Sequence, residues 1–332
     1  MKKPLPPSTL AALRPPSYEH RYFENWKLHP FDPHATRFNY CNAWWLSEIA
    51  LLAYADIDFI QKVLNEAELH ETGAEIKTFQ KDSLWCFVAY TDEIILVAFR
   101  GTEMQSFWDS VQDLITDFNF FLVKDDGGAK VHRGFLSAVE SIWQELAAHT
   151  VSLYSKKPRK IWFTGHSLGA ALATLAVDKL ARQTSLPVQG LYTFGSPRVG
   201  DLGFLQRFLS YPFARNVYRL VAGADIVPHV PPVRWFRHVG QLCFINDRDE
   251  IVRSMPRTLS HQAVLKKTLK ALAKSLETAR LKKISELYHS LVVPDFLADH
   301  APLSYAIRVW NCYVHTLNQK PQKSIWRKIP QL

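Results

Sequence analysis

The chain has 332 residues, of which 47% are apolar and 21% are charged. These proportions are typical of globular proteins, and they exclude a disordered, collagen-like or coiled-coil chain. The formal net charge of +9 is compatible with an anionic partner, although most proteins with this balance simply have a basic surface. A membrane-spanning helix needs about 18 consecutive apolar residues, and runs such as Ile49–Ala55 are far shorter.

Residues 1–35 combine prolines with aromatic residues. Because prolines disfavour helices and central strands while aromatic side chains need burial, we predict an arm that packs across the rest of the chain. No apolar run follows Met1, so we expect no secretory signal and, by default, a cytoplasmic protein. Peripheral membrane binding and signal-independent export are the alternatives. The four cysteines lack the spacing of metal ligands, and buried free thiols are expected for Cys86 and Cys243.

The next part of the chain alternates strand-like and helix-like segments, which predicts a mostly parallel α/β sheet flanked by helices. The predicted helices are a segment capped by Asn42 and running through Ala55, then Ile57–Glu68, Leu136–Leu153 and Leu168–Arg182. The predicted strands are Ala74–Phe79, Leu84–Tyr90, Glu93–Phe99, Ile161–Thr164, Val188–Phe194, Val217–Val221 and Phe236–Phe244.

A long amphipathic and basic pattern occupies residues 257–291. It predicts either a helix that covers the core with a solvated basic face or a basic helix that lies on an anionic membrane. Residues 319–332 form a basic tail. We therefore divide the chain into an arm (1–35), one domain with the basic helical insertion (36–318) and this tail.

The central motif is GxSxG, present as Gly165-His166-Ser167-Leu168-Gly169. It lies between a predicted buried strand and an alanine-rich helix, where a nucleophile elbow requires a sharp turn and glycines in place of clashing side chains. Such a turn lifts the Ser167 hydroxyl out of the sheet and directs a helix N-terminus toward any anion that forms there.

A serine nucleophile needs a base, and the base needs an orienting carboxylate. After a nucleophile elbow these follow in the chain order serine, acid, histidine. Asp225 comes just after the predicted strand Val217–Val221, and we favour it over Asp201, which has the pattern of a helix cap. Among the later histidines we favour His300, which stands in a polar loop before an apolar helix, with His261 as the second candidate.

Five motifs in this order resemble those of the class 3, fungal-type lipase family, within about residues 43–310. They are Phe99–Thr102, Val131–Phe135, Gly165–Gly169, Phe194–Asp201 and Asp225–Pro232. The resemblance implies an α/β-hydrolase fold with a central, mostly parallel sheet, flanking helices and a lid helix. The basic pattern at 257–291 departs from that family and adds an extra long helix before the catalytic histidine.

The resemblance also implies a site. Ser167 would be the nucleophile, Asp225 the orienting acid and His300 the general base. The oxyanion hole would be formed by Thr102 and the backbone N–H of Leu168. Arg100 and Arg133 would have structural ion-pair roles rather than catalytic ones, and Asp113 would brace the Thr102 loop.

Residues 103–114 resemble the lid of this family, an amphipathic helix that covers the serine in water and opens at a lipid interface. Its apolar residues would be Met104, Phe107, Trp108 and Val111. A fixed core helix is the alternative.

We therefore predict a serine carboxylic-ester hydrolase, namely a triacylglycerol lipase or a broader acylglycerol esterase. The alternatives are a phospholipase A1 and a non-catalytic lipid-binding protein. No metal or other cofactor is expected, and the chain has no HExxH, Walker or GxGxxG motif. The expected partner is a lipid ester at a membrane or emulsion interface, with peripheral membrane contact through the lid and the basic helix, and not a nucleic acid.

Overall fold

A computed structural model describes residues 1–70, 76–101, 121–255 and 293–319. Its central feature is an eight-stranded sheet in the order β1-β2-β3-β6-β7-β8-β9-β10. The strands are Lys77–Lys81 (β1), Leu84–Tyr90 (β2), Ile94–Phe99 (β3), Lys160–His166 (β6), Val188–Phe194 (β7), Val217–Ala222 (β8), Gln241–Ile245 (β9) and Ile251–Val252 (β10). A separate two-stranded ribbon pairs Leu122–Lys124 (β4) with Lys130–His132 (β5).

The middle of the sheet is parallel, from β3 through β6, β7 and β8 to β9, whereas β1, β2 and β10 pair antiparallel at the two edges. Alternate residues of β3 pack into different clusters, since Leu96 joins one apolar cluster and Val97 another. Both faces are therefore covered, as parallel sheets require. This confirms the predicted α/β sheet with flanking helices.

Helices cover the two faces. They are Leu10–Leu13 (α1), Tyr40–Leu52 (α2), Ile57–Glu66 (α3), Arg133–Lys156 (α4), Leu168–Gln183 (α5), Leu202–Leu209 (α6), Asp295–Ala298 (α7) and Pro302–Asn318 (α8). Helix α2 is buried almost all round because it lies between the sheet, α8 and the N-terminal arm. Among the residues placed by the structure, no helix is both long and apolar enough to cross a bilayer.

The N-terminal arm packs across α2 and α8. Phe23 is buried and stacks on Trp45 with ring centroids 4.6 Å apart. His20 contacts the buried carboxylate of Glu48 at 2.8 Å, and the backbone N–H of Lys3 donates to the Asn311 side chain at 2.7 Å. Phe23 is thus a core residue, and Tyr22, Trp26 and Phe31 pack against the core while partly buried. The boundary of the arm at residue 35 stays a prediction.

Several predicted boundaries were wrong. Asn39, not Asn42, caps α2, because its side chain accepts the Asn42 N–H at 3.1 Å while the side chain of Asn42 is turned to the Asp32 backbone. The last of the predicted strands, which corresponds to β9, begins at Gln241 rather than Phe236. Gly240 has φ of +80° and interrupts the extended run. All four cysteines are free and buried, as predicted for Cys86 and Cys243.

Four predictions fall outside the described residues. They are the lid (103–114, with Met104, Phe107, Trp108 and Val111), Thr102 with Asp113, the basic insertion with His261, and nearly all of the basic tail.

Candidate active site

Ser167 occupies a strained turn between β6 and α5. Its φ of +57° and ψ of −125° lie in a backbone region that residues other than glycine rarely adopt. A Cβ at Gly165 would lie 2.5 Å from the carbonyl carbon of Gly169, and one at Gly169 would lie 2.7 Å from the carbonyl carbon of Arg100. Both glycines are therefore required for the helix to start this close to the strands, and the elbow predicted from GxSxG has this geometry.

His300 links Ser167 to Asp225. It lies in the loop between α7 and α8 and is fully buried. Its Nε2 is 2.8 Å from Ser167 Oγ, and its Nδ1 is 3.0 Å from each carboxylate oxygen of Asp225. An Nδ1–H that donates to the carboxylate leaves the Nε2 lone pair facing the hydroxyl, which is the tautomer a general base needs. The structure brings together the three residues that the sequence singled out.

One backbone donor and one side-chain donor also hold the Asp225 carboxylate, in addition to His300. The Val227 N–H donates to Oδ1 at 2.9 Å, and the Tyr305 hydroxyl donates to Oδ2 at 2.6 Å. Burial, and next the neighbouring Asp225, raise the pKa of Tyr305 well above its usual value, so its proton is retained. Tyr305 in turn accepts the Ala222 N–H at the end of β8, at 3.1 Å.

Sequence reasoning missed Tyr305. It stands in the first turn of α8, five positions after His300, and only its place in an apolar helix beside the predicted base marked it.

Removal of the Tyr305 hydroxyl tests its role as a positioning residue. A hydrogen bond to a charged group contributes about 1.5–3 kcal/mol, so Tyr305→Phe is expected to lower kcat by about tenfold to a hundredfold with little change in KM. Steady-state hydrolysis of p-nitrophenyl butyrate measures both constants. Tyr313→Phe, in the same helix, is the control, because its hydroxyl contacts His29 instead. Equal kcat values for Tyr305→Phe and wild type would contradict the role.

Gly195 is a second residue whose role the motifs alone did not reveal. Its φ is +60°, and a Cβ there would lie 2.8 Å from Asp225 Oδ2 and 3.0 Å from the His300 ring. No side chain fits at this position without displacing Asp225 or His300. The loop after β7 therefore closes one side of the site.

His166, next to the serine, is a buried neutral side chain. Its Nε2–H donates to the His300 carbonyl at 2.7 Å, while its Nδ1 accepts from the Tyr54 hydroxyl at 2.9 Å. Burial, and next the nearby His300, lower the pKa of His166 well below its usual value. Both ring nitrogens are thus satisfied in the uncharged form, and the ring fixes the backbone of the His300 loop.

The structure also shows the positions of residues that compete with these candidates or support them. Asp201 caps α6 by accepting the Phe204 N–H at 2.9 Å, as its sequence pattern predicted. His238 falls within the predicted strand Phe236–Phe244, but in the structure it lies before β9. Its ring contacts the Pro228 carbonyl at 2.7 Å. Arg100 lies over the Trp85 ring, and Leu168 is the first residue of α5. Within the described ranges no cluster of three or more His, Cys, Asp or Glu could hold a metal ion.

The known proteins to which this chain is similar include lipases and phospholipases. Residues 96–235 match the family described as lipase (class 3). A lipase of Rhizomucor miehei is 36% identical over 47% of this chain and 43% of its own length. A secreted mono- and diacylglycerol lipase of Fusarium solani is 38% identical over 43% of this chain and 41% of its own length. A phospholipase A1-II of Oryza sativa subsp. japonica is 33% identical over 44% of this chain and 42% of its own length.

Among solved structures, a triacylglycerol lipase whose catalytic centre is a serine protease triad superposes with a TM-score of 0.51 and 28% identity. The superposition covers 62% of this chain and 80% of that one, and it confirms the predicted fold. The chain spans about two fifths of the length of the relatives that it matches. The name of the secreted Fusarium solani enzyme does not fit the expectation of a cytoplasmic protein.

Proposed function

We propose that the chain, whose residues 96–235 match the family described as lipase (class 3), is a serine carboxylic-ester hydrolase acting on lipid esters. The observation that supports this most strongly is the position of His300, within 2.8 Å of Ser167 Oγ and 3.0 Å of Asp225. In catalytic triads the base removes the proton of the hydroxyl and the carboxylate stabilises the imidazolium.

In the proposed acylation step, Ser167 Oγ attacks the ester carbonyl carbon while His300 Nε2 accepts the hydroxyl proton. His300 then returns this proton to the departing alcohol, which leaves an acyl-serine. Asp225 orients the His300 ring through Nδ1 and stabilises the imidazolium. In deacylation, water replaces the hydroxyl and the same residues repeat the proton transfers.

The developing oxyanion needs hydrogen-bond donors placed in advance, and loss of one such donor typically costs about 10²–10³ in rate. We propose the backbone N–H of Leu168 as one donor, because it stands at the N-terminus of α5, where peptide dipoles favour negative charge. Thr102 is the proposed second donor. It follows Gly101 directly in the chain, and a Cβ at Gly101 would lie 3.0 Å from the His166 carbonyl oxygen, which places Gly101 beside the elbow.

The proposed substrate is a triacylglycerol or a related acylglycerol, as the names of the fungal relatives indicate for those proteins. The phospholipase A1 relatives from rice support a second candidate, hydrolysis of a phospholipid acyl ester.

A substrate panel tests the proposal and separates the two candidates. We expect purified wild type to hydrolyse p-nitrophenyl butyrate and tributyrin, and to hydrolyse tributyrin faster than phosphatidylglycerol. The rate ratio of p-nitrophenyl butyrate to the palmitate ester then reports the acyl-chain preference. Faster release of fatty acid from phosphatidylglycerol would favour the phospholipase. No hydrolysis of any ester, with lipid or detergent present, would refute the proposal.

A further inference from the structure

Two arginine–aromatic pairs are exposed to solvent. The Arg133 guanidinium lies over the Phe121 ring at 5.9 Å, and that of Arg234 lies over the Trp235 ring at 5.4 Å. Phe121 is 57% exposed, Trp235 is 51% exposed and the neighbouring Val233 is 48% exposed. We call these five residues the arginine–aromatic surface.

Backbone pairing brings the two pairs together. The Arg133 N–H donates to the Phe121 carbonyl at 2.9 Å. Gly200 bridges to Val131 on one side and to Arg237 on the other. The rings of His132 and Phe236, which precede Arg133 and follow Trp235 in the chain, have centroids 6.1 Å apart. The surface is therefore one continuous region built from the ribbon and the loop before β9.

The loop after β7 links this surface to the candidate site. The loop after β7 begins at Gly195, against Asp225 and His300, and five residues later reaches Gly200 in the bridge described above. Arg198 in the same loop donates to the Pro231 carbonyl at 2.7 Å, which holds the segment leading to Val233. The loop after β7 thus connects the surface to the residue that lies against Asp225 and His300.

Both charged side chains among these five residues are positive. Arg133 and Arg234 form no ion pair with any carboxylate in the part of the chain that the structure describes, and Arg237 donates to carbonyl oxygens of its own loop. Lys124 and Lys130 of the ribbon are also exposed. Unpaired cations beside exposed aromatic rings fit an anionic partner with an apolar interior, because each ring enters the acyl boundary while the guanidinium stays with the charged groups.

We propose that the arginine–aromatic surface docks the protein on an anionic phospholipid surface and so brings the candidate site close to lipid esters. This deepens the proposed function and rests on it. The surface lies outside the predicted lid and basic insertion, so docking needs neither. Each arginine close to an anionic bilayer strengthens binding by about fivefold, and the aromatic rings add apolar burial at the interface.

Vesicle flotation tests the proposal in a Ser167→Ala background, in which lipid hydrolysis does not interfere. The probes are phosphatidylcholine vesicles with and without phosphatidylglycerol. We expect binding only when phosphatidylglycerol is present, a decrease as salt is added, and a loss of at least about tenfold for Arg234→Gln/Trp235→Ser. Arg133→Gln, on the other pair, should weaken binding by about fivefold.

Lys27→Gln/Leu28→Ser is the matched control. Lys27 lies over the Trp26 ring at 5.3 Å and Leu28 is 76% exposed, but both stand on the N-terminal arm. It removes the same charge and a comparable apolar side chain, and we expect it to bind like the parent. Thermal unfolding midpoints equal to that of the parent show that each variant is folded.

Three outcomes would overturn the proposal. The first is that the surface variant and the control bind vesicles equally well. The second is that vesicles with and without phosphatidylglycerol are bound equally well. The third is that the protein binds no vesicles but forms a dimer, which Arg234→Gln/Trp235→Ser dissociates. The last result would assign the surface to contact between two copies of the chain. Vesicle binding as expected, together with an inactive wild type in the ester panel, would uphold docking and refute the proposed function.

Discussion

Ser167→Ala is expected to lower turnover of p-nitrophenyl butyrate by about 10⁴–10⁶, since loss of the nucleophile disables the triad as a unit. The substitution removes only the hydroxyl that lies 2.8 Å from His300 Nε2. The φ of +57° at this position is strained for alanine as it is for serine, so stability should change little. Wild type and variant are compared at saturating substrate, with a thermal unfolding midpoint for each.

Ser196→Ala is the matched control for this experiment. Ser196 is also buried and directly follows Gly195, which contacts the acid and the base. Its hydroxyl, however, donates to the Pro197 carbonyl at 3.0 Å rather than to His300. We expect its turnover to stay within a few-fold of wild type. An active Ser167→Ala protein would show that another residue is the nucleophile and would refute the proposed mechanism.

The elbow could be predicted because all its requirements are local. Five consecutive residues contain the serine and both glycines, and the buried strand and alanine-rich helix on either side are recognisable from composition alone. Asp225 and His300, by contrast, are 75 residues apart. Sequence order and local context selected both, but only the packing of β8 against the start of α8 shows that they meet.

Residues that act through tertiary contacts could not be predicted in this way. Tyr305 reaches a carboxylate 80 residues earlier in the chain, and nothing in its neighbours distinguishes it from other helical tyrosines. The cap of α2 was assigned to Asn42 instead of Asn39 because both are asparagines beside a helical pattern. Asn42 is held by the Asp32 backbone, which belongs to the arm. Contacts between segments, rather than local propensity, decide such cases.

The order of elements also explains why the site needs several glycines. Ser167, Asp225 and His300 lie on three separate connections, which follow β6, follow β8 and precede α8, respectively. To bring them within hydrogen-bonding distance, backbone segments must approach more closely than side chains permit. Gly195 meets this need at the acid and base, whereas Gly165 and Gly169 meet it at the nucleophile. The packing of the elbow is therefore a condition for the chemistry as well as for stability.

Gly165→Ala tests this condition and is expected to destabilise the protein by about 3 kcal/mol. The added methyl would lie 2.5 Å from the Gly169 carbonyl carbon and 2.8 Å from the Ala170 nitrogen. Since both are backbone atoms of the elbow and of the first turn of α5, no side-chain rotation relieves the contact, and the helix must move away from β6. Activity of the folded fraction should fall as well, because Ser167 lies in this turn.

Urea unfolding followed by circular dichroism measures the free-energy difference, with Gly134→Ala as the control. Gly134 lies in the first turn of α4, and a Cβ there would be 3.4 Å from its nearest neighbour, the His132 ring. Because alanine favours a helix over glycine by up to about 1 kcal/mol, the control should be as stable as wild type or slightly more so. If Gly165→Ala unfolded at the same urea concentration as Gly134→Ala, close backbone approach at the elbow would not be what requires glycine there.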